Sequence, residues 1–276
     1  MPEGPEVRRM AQDLAAVVSE KTLVGINVLS GRYTKKPIEG LTEINAELPT
    51  KIIGAGCHGK FIYALTSSGH NIWNTLGMTG RWTRQLTKHS RIEFKFKGEA
   101  PVYFEDVRNF GTLKVVYGKN ALIKKLKSLG PDLLAEDIDE DFFIARLREK
   151  NAKHITKVLM DQKVFSGIGN YVKAEALWLA EIDPRLTIED ISDEKLKILC
   201  KAVKNVLRES YNTGGATFRT HKNFSGVEGQ YTHRFLCYGR KIDAEGNDVV
   251  KIQTEDGRTT HWSPNKQGVK SGQSSL

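Results

Sequence analysis

The sequence has few cysteines and no long apolar segment, and these absences narrow the classes of protein it can encode. Its three cysteines, Cys57, Cys200 and Cys237, form no Cys-x-x-Cys pair, so neither a disulfide framework nor a cysteine zinc site is indicated. No segment approaches the roughly 18 apolar residues that span a bilayer, and the acidic, proline-containing start is unlike a signal peptide. We therefore expect an intracellular protein of the nucleus or cytoplasm, with a viral origin left open and no membrane partner.

Positive charge is in excess. The 276 residues contain 42 Lys and Arg against 33 Asp and Glu, which gives a formal net charge of +9. The excess is uneven, because residues 201–276 contain 12 basic and 7 acidic residues and so carry +5 of the +9. A surplus of this size favours a polyanionic partner, although a basic soluble protein without one has the same composition.

Hydrophobic periodicity predicts a β-rich first part and a helical second part. One helix is expected over residues 7–18, and the alternation of Ile92, Phe94 and Phe96 with charged residues indicates a half-buried strand. Beyond residue 118 the expected elements are helices, at residues 121–129, 139–150, 152–160 and 170–180 and in a long segment capped by Ser192. Near the end, Glu255-Asp256-Gly257 separates two apolar runs and predicts a β-hairpin.

The N-terminus concentrates groups that can do chemistry. Removal of Met1 would leave Pro2 with a free secondary amine, and a free α-amine has a reference pKa of about 7.7–8.0, so part of it is neutral near pH 7. Such an amine can attack a sugar carbon and form a Schiff base. Glu3 and Glu6 are suited to general acid–base work or to holding the amine or a water. Each feature also has a non-catalytic interpretation. Acidic residues at the start of a helix favour its dipole, and Met-Pro is an ordinary start of a chain.

Four segments together resemble the formamidopyrimidine-DNA glycosylase/endonuclease VIII family, in the same order as in that family. The first is Pro2-Glu-Gly-Pro-Glu6-Val7, and the others are Leu76-Gly-Met-Thr-Gly-Arg81, residues 159–171, and the pair 235–241 and 257–267. The resemblance runs from Pro2 to Gln267. It implies an α+β fold: an N-terminal two-layer antiparallel β-sandwich with a helix, then a helical helix–two-turn–helix domain with a β-hairpin finger, and DNA in the cleft between them.

The resemblance also implies a role for each matching residue. In the catalytic set, Pro2 corresponds to the nucleophile and Glu3 to the acid that assists base loss and ring opening, with Glu6 beside them and Lys60 on a phosphate near the lesion. In the DNA-binding set, Asn170 and Arg258 correspond to phosphate contacts. The residues that fill the gap left by a flipped-out nucleotide correspond to Met78, Arg108 and Phe110.

The finger departs from the usual family pattern. Most members have two cysteine pairs that bind zinc there, whereas this chain has Asp243-Ala-Glu-Gly at the first pair and Ser263 and Lys266 at the second. We therefore expect no metal and no cofactor, as in the zincless-finger endonuclease VIII-like branch. Packing of apolar side chains would then replace the metal, and those expected to do so are Phe235, Val250, Ile252 and Trp262.

The sequence thus predicts a DNA glycosylase/AP lyase of base-excision repair. It would remove oxidised bases, with oxidised pyrimidines preferred, through a Schiff base on Pro2 followed by β,δ-elimination. Two alternatives stay open: an oxidised-purine, formamidopyrimidine-type glycosylase, and a non-catalytic damaged-DNA-binding protein. The expected partner of this monomer is damaged double-stranded DNA, with single-stranded or bubble DNA also open. The expected domains are a catalytic β-sandwich (1–118), a helix–two-turn–helix domain (119–232), a zincless finger (233–267) and a disordered tail (268–276).

Overall fold

The chain forms two compact units. A computed structural model describes residues 2–216, 224–227 and 229–268. The first unit comprises Met1–Ser128 and Tyr211–Thr232, and the second comprises Leu129–Ser210 and His233–Leu276. The predicted tail falls mainly on residues 269–276, which lie outside the described residues.

Eight antiparallel strands and a helix build most of the first unit. Its elements are α1 (Gly4–Val18), β1 (Thr22–Val28), α2 (Leu41–Ala46), β2 (Thr50–His58), β3 (Phe61–Thr66), β4 (His70–Thr75), β5 (Gly80–Thr83), β6 (Ser90–Phe96), β7 (Val102–Asp106), β8 (Thr112–Tyr117) and α3 (Lys119–Lys127). The strand order is β5-β7-β6-β1-β2-β3-β4-β8. The two four-stranded halves are joined in the strand order by a short β1–β2 pairing, in which Thr22 and Leu23 of β1 lie opposite Lys51 and Thr50 of β2.

The two halves enclose one apolar core, which makes them the layers of a sandwich. Ile92 and Phe94 come from one half and Ile62 and Ile72 from the other, and all four belong to the same buried cluster. The alternation predicted for β6 is confirmed, because its apolar side chains are buried and its charged ones are not. Helix α1 packs its apolar stripe against β2 and β3, and the buried members of that stripe are Val7, Met10, Ala11, Leu14 and Val18.

Helices and a short hairpin form the second unit. The elements are α4 (Glu140–Arg148), α5 (Ile155–Met160), α6 (Asn170–Leu179), α7 (Asp193–Asn212, whose last two residues fall in the first unit), β9 (Val250–Gln253), β10 (Thr259–Trp262) and α8 (Pro264–Gln267). Asp139 caps α4 by accepting the backbone N–H of Phe142 at 2.7 Å. The predicted hairpin is confirmed, with Thr260 opposite Ile252 in antiparallel register.

The α+β prediction is therefore confirmed, with three differences of detail. The sequence analysis placed one helix in the β-rich part, whereas the short α2 lies there as well. Helix α5 begins at Ile155 rather than near residue 152, because residues 151–153 form a turn. Of the apolar side chains expected to replace a metal by packing, Phe235 and Trp262 are buried, whereas Val250 at the start of β9 is 39% exposed. Over the described residues, every helix is too short or too polar to cross a bilayer.

Candidate active site and DNA-contact residues

The N-terminal residues are buried and held in a fixed arrangement. Pro2 is buried, and Glu3 and Glu6 are each 2% exposed. Helix α1 begins at Gly4, so Glu3 is its N-cap residue and Glu6 lies in the first turn. The Glu6 carboxylate accepts the backbone N–H of Glu3 at 2.7 Å, which fixes the residue next to Pro2.

The second oxygen of Glu6 connects this terminus to a distant segment of the first unit. It accepts the backbone N–H of Ala216 at 2.7 Å. The neighbouring Gly215 has φ of +90°, and a Cβ there would lie 3.0 Å from the Glu6 carboxyl group. Glycine therefore allows both the backbone conformation and the close approach. With both oxygens accepting backbone N–H groups, Glu6 positions the N-terminus.

Lys60 lies in the tight turn between β2 and β3, where it is half-buried. Helix α1 packs on this hairpin, and Arg8 of α1 is close enough to Tyr63 of β3 to influence its phenol. Burial and nearby Cys57 raise the pKa of Tyr63, and the positive charge of Arg8 opposes that rise. Lys60 is thus carried by the hairpin on which the Pro2 helix rests.

The three residues expected to fill the gap in DNA lie on two neighbouring loops. Met78 is half-buried in the loop between β4 and β5. Arg108 and Phe110 lie in the loop between β7 and β8, where the Arg108 guanidinium carbon is 4.9 Å from the centre of the Phe110 ring. Arg108 is exposed, and Phe110 is 52% exposed although it is large and apolar. An exposed phenylalanine stacked by an arginine is suited to contact a base.

In the second unit, Asn170 is the first residue of α6 and follows a glycine-rich turn. Gly167 has φ of +97°, a conformation that glycine adopts readily. The Asn170 amide donates to the carbonyl of Thr259 at 2.9 Å, one residue after the exposed Arg258. The two expected phosphate-contacting residues are therefore linked through the backbone of the hairpin.

Helix α6 anchors the finger through three more buried polar side chains. Lys173 donates to Asp256 at 2.5 Å, and their side chains are 0% and 2% exposed. Glu175 accepts the consecutive backbone N–H groups of residues 236, 237 and 238 at 2.7, 2.9 and 2.6 Å. Burial raises the pKa of Glu175, and these three donors oppose the rise. Trp178 completes the set by donating its indole N–H to Asp243 at 2.9 Å.

The side chains at the expected zinc positions do not fit a zinc ion, because protein groups already engage them. Asp243 accepts bonds from Trp178 and from the backbone N–H groups of residues 245 and 247. Lys266 is a cation and bonds Glu245 at 2.7 Å, whereas the Ser263 hydroxyl donates to a backbone carbonyl at 3.2 Å. Burial raises the pKa of the nearby Cys237 thiol to about 12, which disfavours the thiolate that zinc requires. The described residues contain no cluster of three or more His, Cys, Asp or Glu suited to a metal.

Sequence reasoning did not identify Lys173, Glu175 and Trp178 as the residues of α6 that support the finger. It also did not single out Thr79 or Asp106, which hydrogen-bond to each other beside the two loops of the first unit. One signal was available: after Asn170, Lys173 and Glu175 are the charged residues of an otherwise largely apolar α6, and charged residues are rarely fully buried unless they are paired. The identity of their partners, about 60 to 80 residues away, left no local signal.

Comparison with known proteins places this site in a family. Residues 1–113 match the formamidopyrimidine-DNA glycosylase N-terminal domain and residues 129–222 match its H2TH domain. A formamidopyrimidine-DNA glycosylase of Listeria monocytogenes is 31% identical over 280 residues, covering 97% of this chain and 100% of the relative. A mutant FPG protein of Lactococcus lactis, solved with Fapy-dG-containing DNA, has a TM-score of 0.86 at 26% identity, covering 97% of this chain and 100% of the other. The wild-type Lactococcus protein, solved with oxidised-pyrimidine-containing DNA, has a TM-score of 0.85 at 25% identity and the same coverage.

These matches define a DNA glycosylase of base-excision repair that also has AP lyase activity. The chain belongs to the formamidopyrimidine-DNA glycosylase family.

Proposed function

We propose that this enzyme removes oxidised purines of the formamidopyrimidine type from damaged double-stranded DNA. The names of its relatives support this substrate, and so does the Fapy-dG in the DNA bound to a structural neighbour. These names and this bound lesion favour oxidised purines over the oxidised pyrimidines that the sequence analysis expected. The neighbour solved with an oxidised pyrimidine makes that base a reasonable second substrate.

In the proposed reaction, Pro2 is the nucleophile once Met1 is removed. Its neutral amine attacks C1′ of the flipped-out nucleotide, so that an N–C1′ bond forms while the glycosidic bond to the base breaks. The departing base takes up a proton, and opening of the sugar ring leaves a cationic imine. The imine acidifies the C2′ hydrogens, and loss of one expels the 3′ phosphate. A second elimination expels the 5′ phosphate, so the strand is cut on both sides.

Glu3 is proposed as the general acid that protonates the sugar ring oxygen as the ring opens. The observation that carries this assignment is the fixed, buried Pro2–Glu3 pair at the start of α1, where Glu6 holds the backbone of Glu3. A carboxyl group that is positioned in this way can deliver a proton without first being ordered.

The remaining residues are proposed to hold the DNA. Lys60, Asn170 and Arg258 contact backbone phosphates. These electrostatic contacts weaken as salt rises and contribute most of the affinity for DNA. Met78, Arg108 and Phe110 occupy the space that the flipped nucleotide leaves, since an apolar group can replace lost stacking and a guanidinium can hydrogen-bond the orphaned base.

Covalent trapping tests the nucleophile. Borohydride should reduce the imine on abasic-site DNA and leave a stable protein–DNA adduct in the enzyme that lacks Met1. Pro2→Gly, or a form that retains Met1, should trap little or none. Undiminished trapping with the blocked N-terminus would move the nucleophile to a lysine, and no trapping by any form would favour the non-catalytic DNA-binding alternative.

Single-turnover cleavage of duplexes that each carry one defined lesion tests the substrate. We expect formamidopyrimidine and other oxidised purines to be excised faster than oxidised pyrimidines. The reverse order would restore the pyrimidine preference.

Glu3→Gln separates the two activities of the enzyme. It should reduce base excision by about 10²–10⁴-fold, the range of a general acid, while keeping much of the cutting at preformed abasic sites. Equal loss of both activities would instead give Glu3 a role in the lyase step or in folding.

A further inference from the structure

Two loops of the first unit carry the residues that we propose fill the gap in DNA. We call residues 76–79 and 107–111 together the wedge loops. They are distant in sequence but adjacent in space, because β5 pairs with β7 and places Gly80 opposite Asp106. The approach is close: a Cβ added to Gly77 would lie 2.6 Å from the backbone nitrogen of Gly111.

The carboxylate of Asp106 bridges the two loops. One oxygen accepts the hydroxyl of Thr79 at 2.5 Å, and the other accepts the backbone N–H of Gly111 at 2.7 Å. Asp106 is 1% exposed and Thr79 is 6% exposed, so water competes little for these bonds.

The Thr79 hydroxyl continues the connection, because it accepts the backbone N–H of Arg108 at 2.9 Å while it donates to Asp106. The resulting chain runs from the Arg108 N–H through Thr79 and Asp106 to the Gly111 N–H. Each proposed gap-filling residue either takes part in these hydrogen bonds or is adjacent in sequence to a residue that does. Met78 precedes Thr79, Arg108 supplies an N–H, and Phe110 precedes Gly111.

A second layer holds Asp106 itself. Arg91 donates to the backbone carbonyls of Asp106 at 2.7 Å and of Val107 at 3.3 Å, which fixes the point where β7 becomes loop. Arg32 donates to the carbonyl of Gly111 at 2.6 Å, which fixes the other end of that loop. Hydrogen bonds to the backbone therefore hold both ends of the short loop that the Asp106 carboxylate connects to Thr79.

We propose that Thr79 and Asp106 are positioning residues for nucleotide flipping. They set the spacing between Met78 on one loop and Arg108 and Phe110 on the other, so that the three enter the DNA together. This inference rests on the proposed gap-filling role of those three residues. The two side chains contact no reacting atom, and their effect passes entirely through the loop backbones.

The proposal requires the specific donor and acceptor pattern at Thr79. Valine has nearly the same shape but can neither donate to Asp106 nor accept from Arg108, so Thr79→Val breaks the chain at two points. Thr79→Ser keeps the hydroxyl and should restore it. Thr75→Val is a matched control, because Thr75 lies at the end of β4 and its hydroxyl bonds that of Thr112 at 2.7 Å, outside the wedge loops.

The test uses a duplex with a tetrahydrofuran abasic analogue, which cannot form an imine, beside a fluorescent 2-aminopurine. Stopped-flow mixing follows the emission rise as neighbouring bases unstack, so flipping is measured without chemistry. Thr79→Val should slow or diminish the rise by about tenfold, the effect of losing a buried hydrogen bond. Thr79→Ser and Thr75→Val should stay within about twofold of the wild type. Thermal unfolding of all three variants shows whether any loss follows stability instead.

Two further variants separate this proposal from the one it rests on. Phe110→Ala and Met78→Ala should impair the same signal directly. If they do and Thr79→Val behaves as wild type, the positioning role is overturned while the gap-filling role stands. If Thr79→Ser fails as fully as Thr79→Val, the hydroxyl is not the cause and the positioning role is also overturned. If neither Phe110→Ala nor Met78→Ala changes the signal, the gap-filling assignment itself is wrong, and the positioning role fails with it.

Discussion

The wedge loops of the first unit and the hairpin of the second are both proposed to contact DNA, yet they stand on different supports. The wedge loops extend from the edge of an eight-stranded sandwich with a continuous apolar core, and a few hydrogen-bonding side chains such as Asp106 connect them. The hairpin has two strands of four residues each, and α6 bonds it through Asn170 and the buried Lys173. Glu175 and Trp178 of the same helix hold residues 236–238 and 243, which precede the hairpin.

The difference follows from the amount of apolar surface available. A sandwich of this size supplies its own stability, so its loops need only local hydrogen bonds. An isolated two-stranded hairpin is marginal in water and requires an external attachment. In this chain the buried ion pair of Lys173 and Asp256 and the hydrogen bond from Asn170 to the hairpin backbone supply that attachment.

The largest expected effect comes from breaking the buried pair of Lys173 and Asp256. Lys173→Met leaves the Asp256 carboxylate buried without its cation, so we expect a loss of about 3–5 kcal/mol in the free energy of unfolding. Chemical denaturation followed by tryptophan fluorescence measures it. The control is Lys201→Met, which removes an exposed pair with Glu140 and should cost less than about 1 kcal/mol.

A double variant sharpens this test. Lys173→Met combined with Asp256→Asn removes both charges and should recover part of the stability that the single variant loses. Equal losses for Lys173→Met and Lys201→Met would show that the buried pair does not hold the hairpin.

A smaller, pH-dependent effect is expected at Asp243. Burial alone would raise its pKa, but bonds from Trp178, Asn247 and the Glu245 backbone lower it to about 2. Because the folded pKa lies below the ordinary value of about 3.9, the stabilisation is complete above that value and is lost as pH falls towards 2. Asp243→Asn places an amide against the Trp178 N–H and should cost about 1–3 kcal/mol at pH 7.

Denaturation of wild type and Asp243→Asn at several pH values measures the difference. The stability gap should narrow below about pH 4, where the wild-type carboxylate begins to lose the advantage of its depressed pKa. A gap that is constant down to pH 2.5 would mean that shape, rather than charge, makes Asp243 important.

Arg258→Ala and Phe110→Ala distinguish the DNA contacts of the two regions. Removing a phosphate-contacting arginine should reduce the slope of log affinity against log salt by roughly one unit, whereas removing an apolar side chain releases no counterions and should leave the slope unchanged. Binding titrations on one abasic-analogue duplex at several salt concentrations give both slopes. A change in lesion preference for Arg258→Ala would instead assign that residue to base recognition.

The smallest effect is expected from metal removal. Because Asp243, Ser263 and Lys266 already bond protein groups, a strong chelator should leave the thermal midpoint unchanged, and elemental analysis should find far less than one zinc per chain. Stoichiometric zinc, lost together with stability on chelation, would remove the contrast between the two regions.

Much of this architecture was predictable because it depends on local patterns. The period-2 alternation of β6 and the apolar stripe of α1 both reflect a single buried face, and both predictions were confirmed. Val250 shows where such reasoning fails. Its side chain was expected to pack, but at the first residue of β9 it is 39% exposed, although it pairs with the buried Trp262. An apolar strand residue is covered only where another element lies over it, and the strand pattern alone does not show where that is.

The sequence by itself determined the change from a β-rich first part to a helical second part, the β-hairpin near the end, and the motifs that identify the family, because each depends on residues close together in the chain. Only the tertiary structure decided which polar groups meet. Thr79 reaches Asp106 across 27 residues through the β5–β7 register, and Lys173 reaches Asp256 across 83 residues through the docking of the hairpin on α6. A buried polar group must find a partner, but its own sequence neighbourhood does not specify which one, since that choice is made by the packing of distant elements.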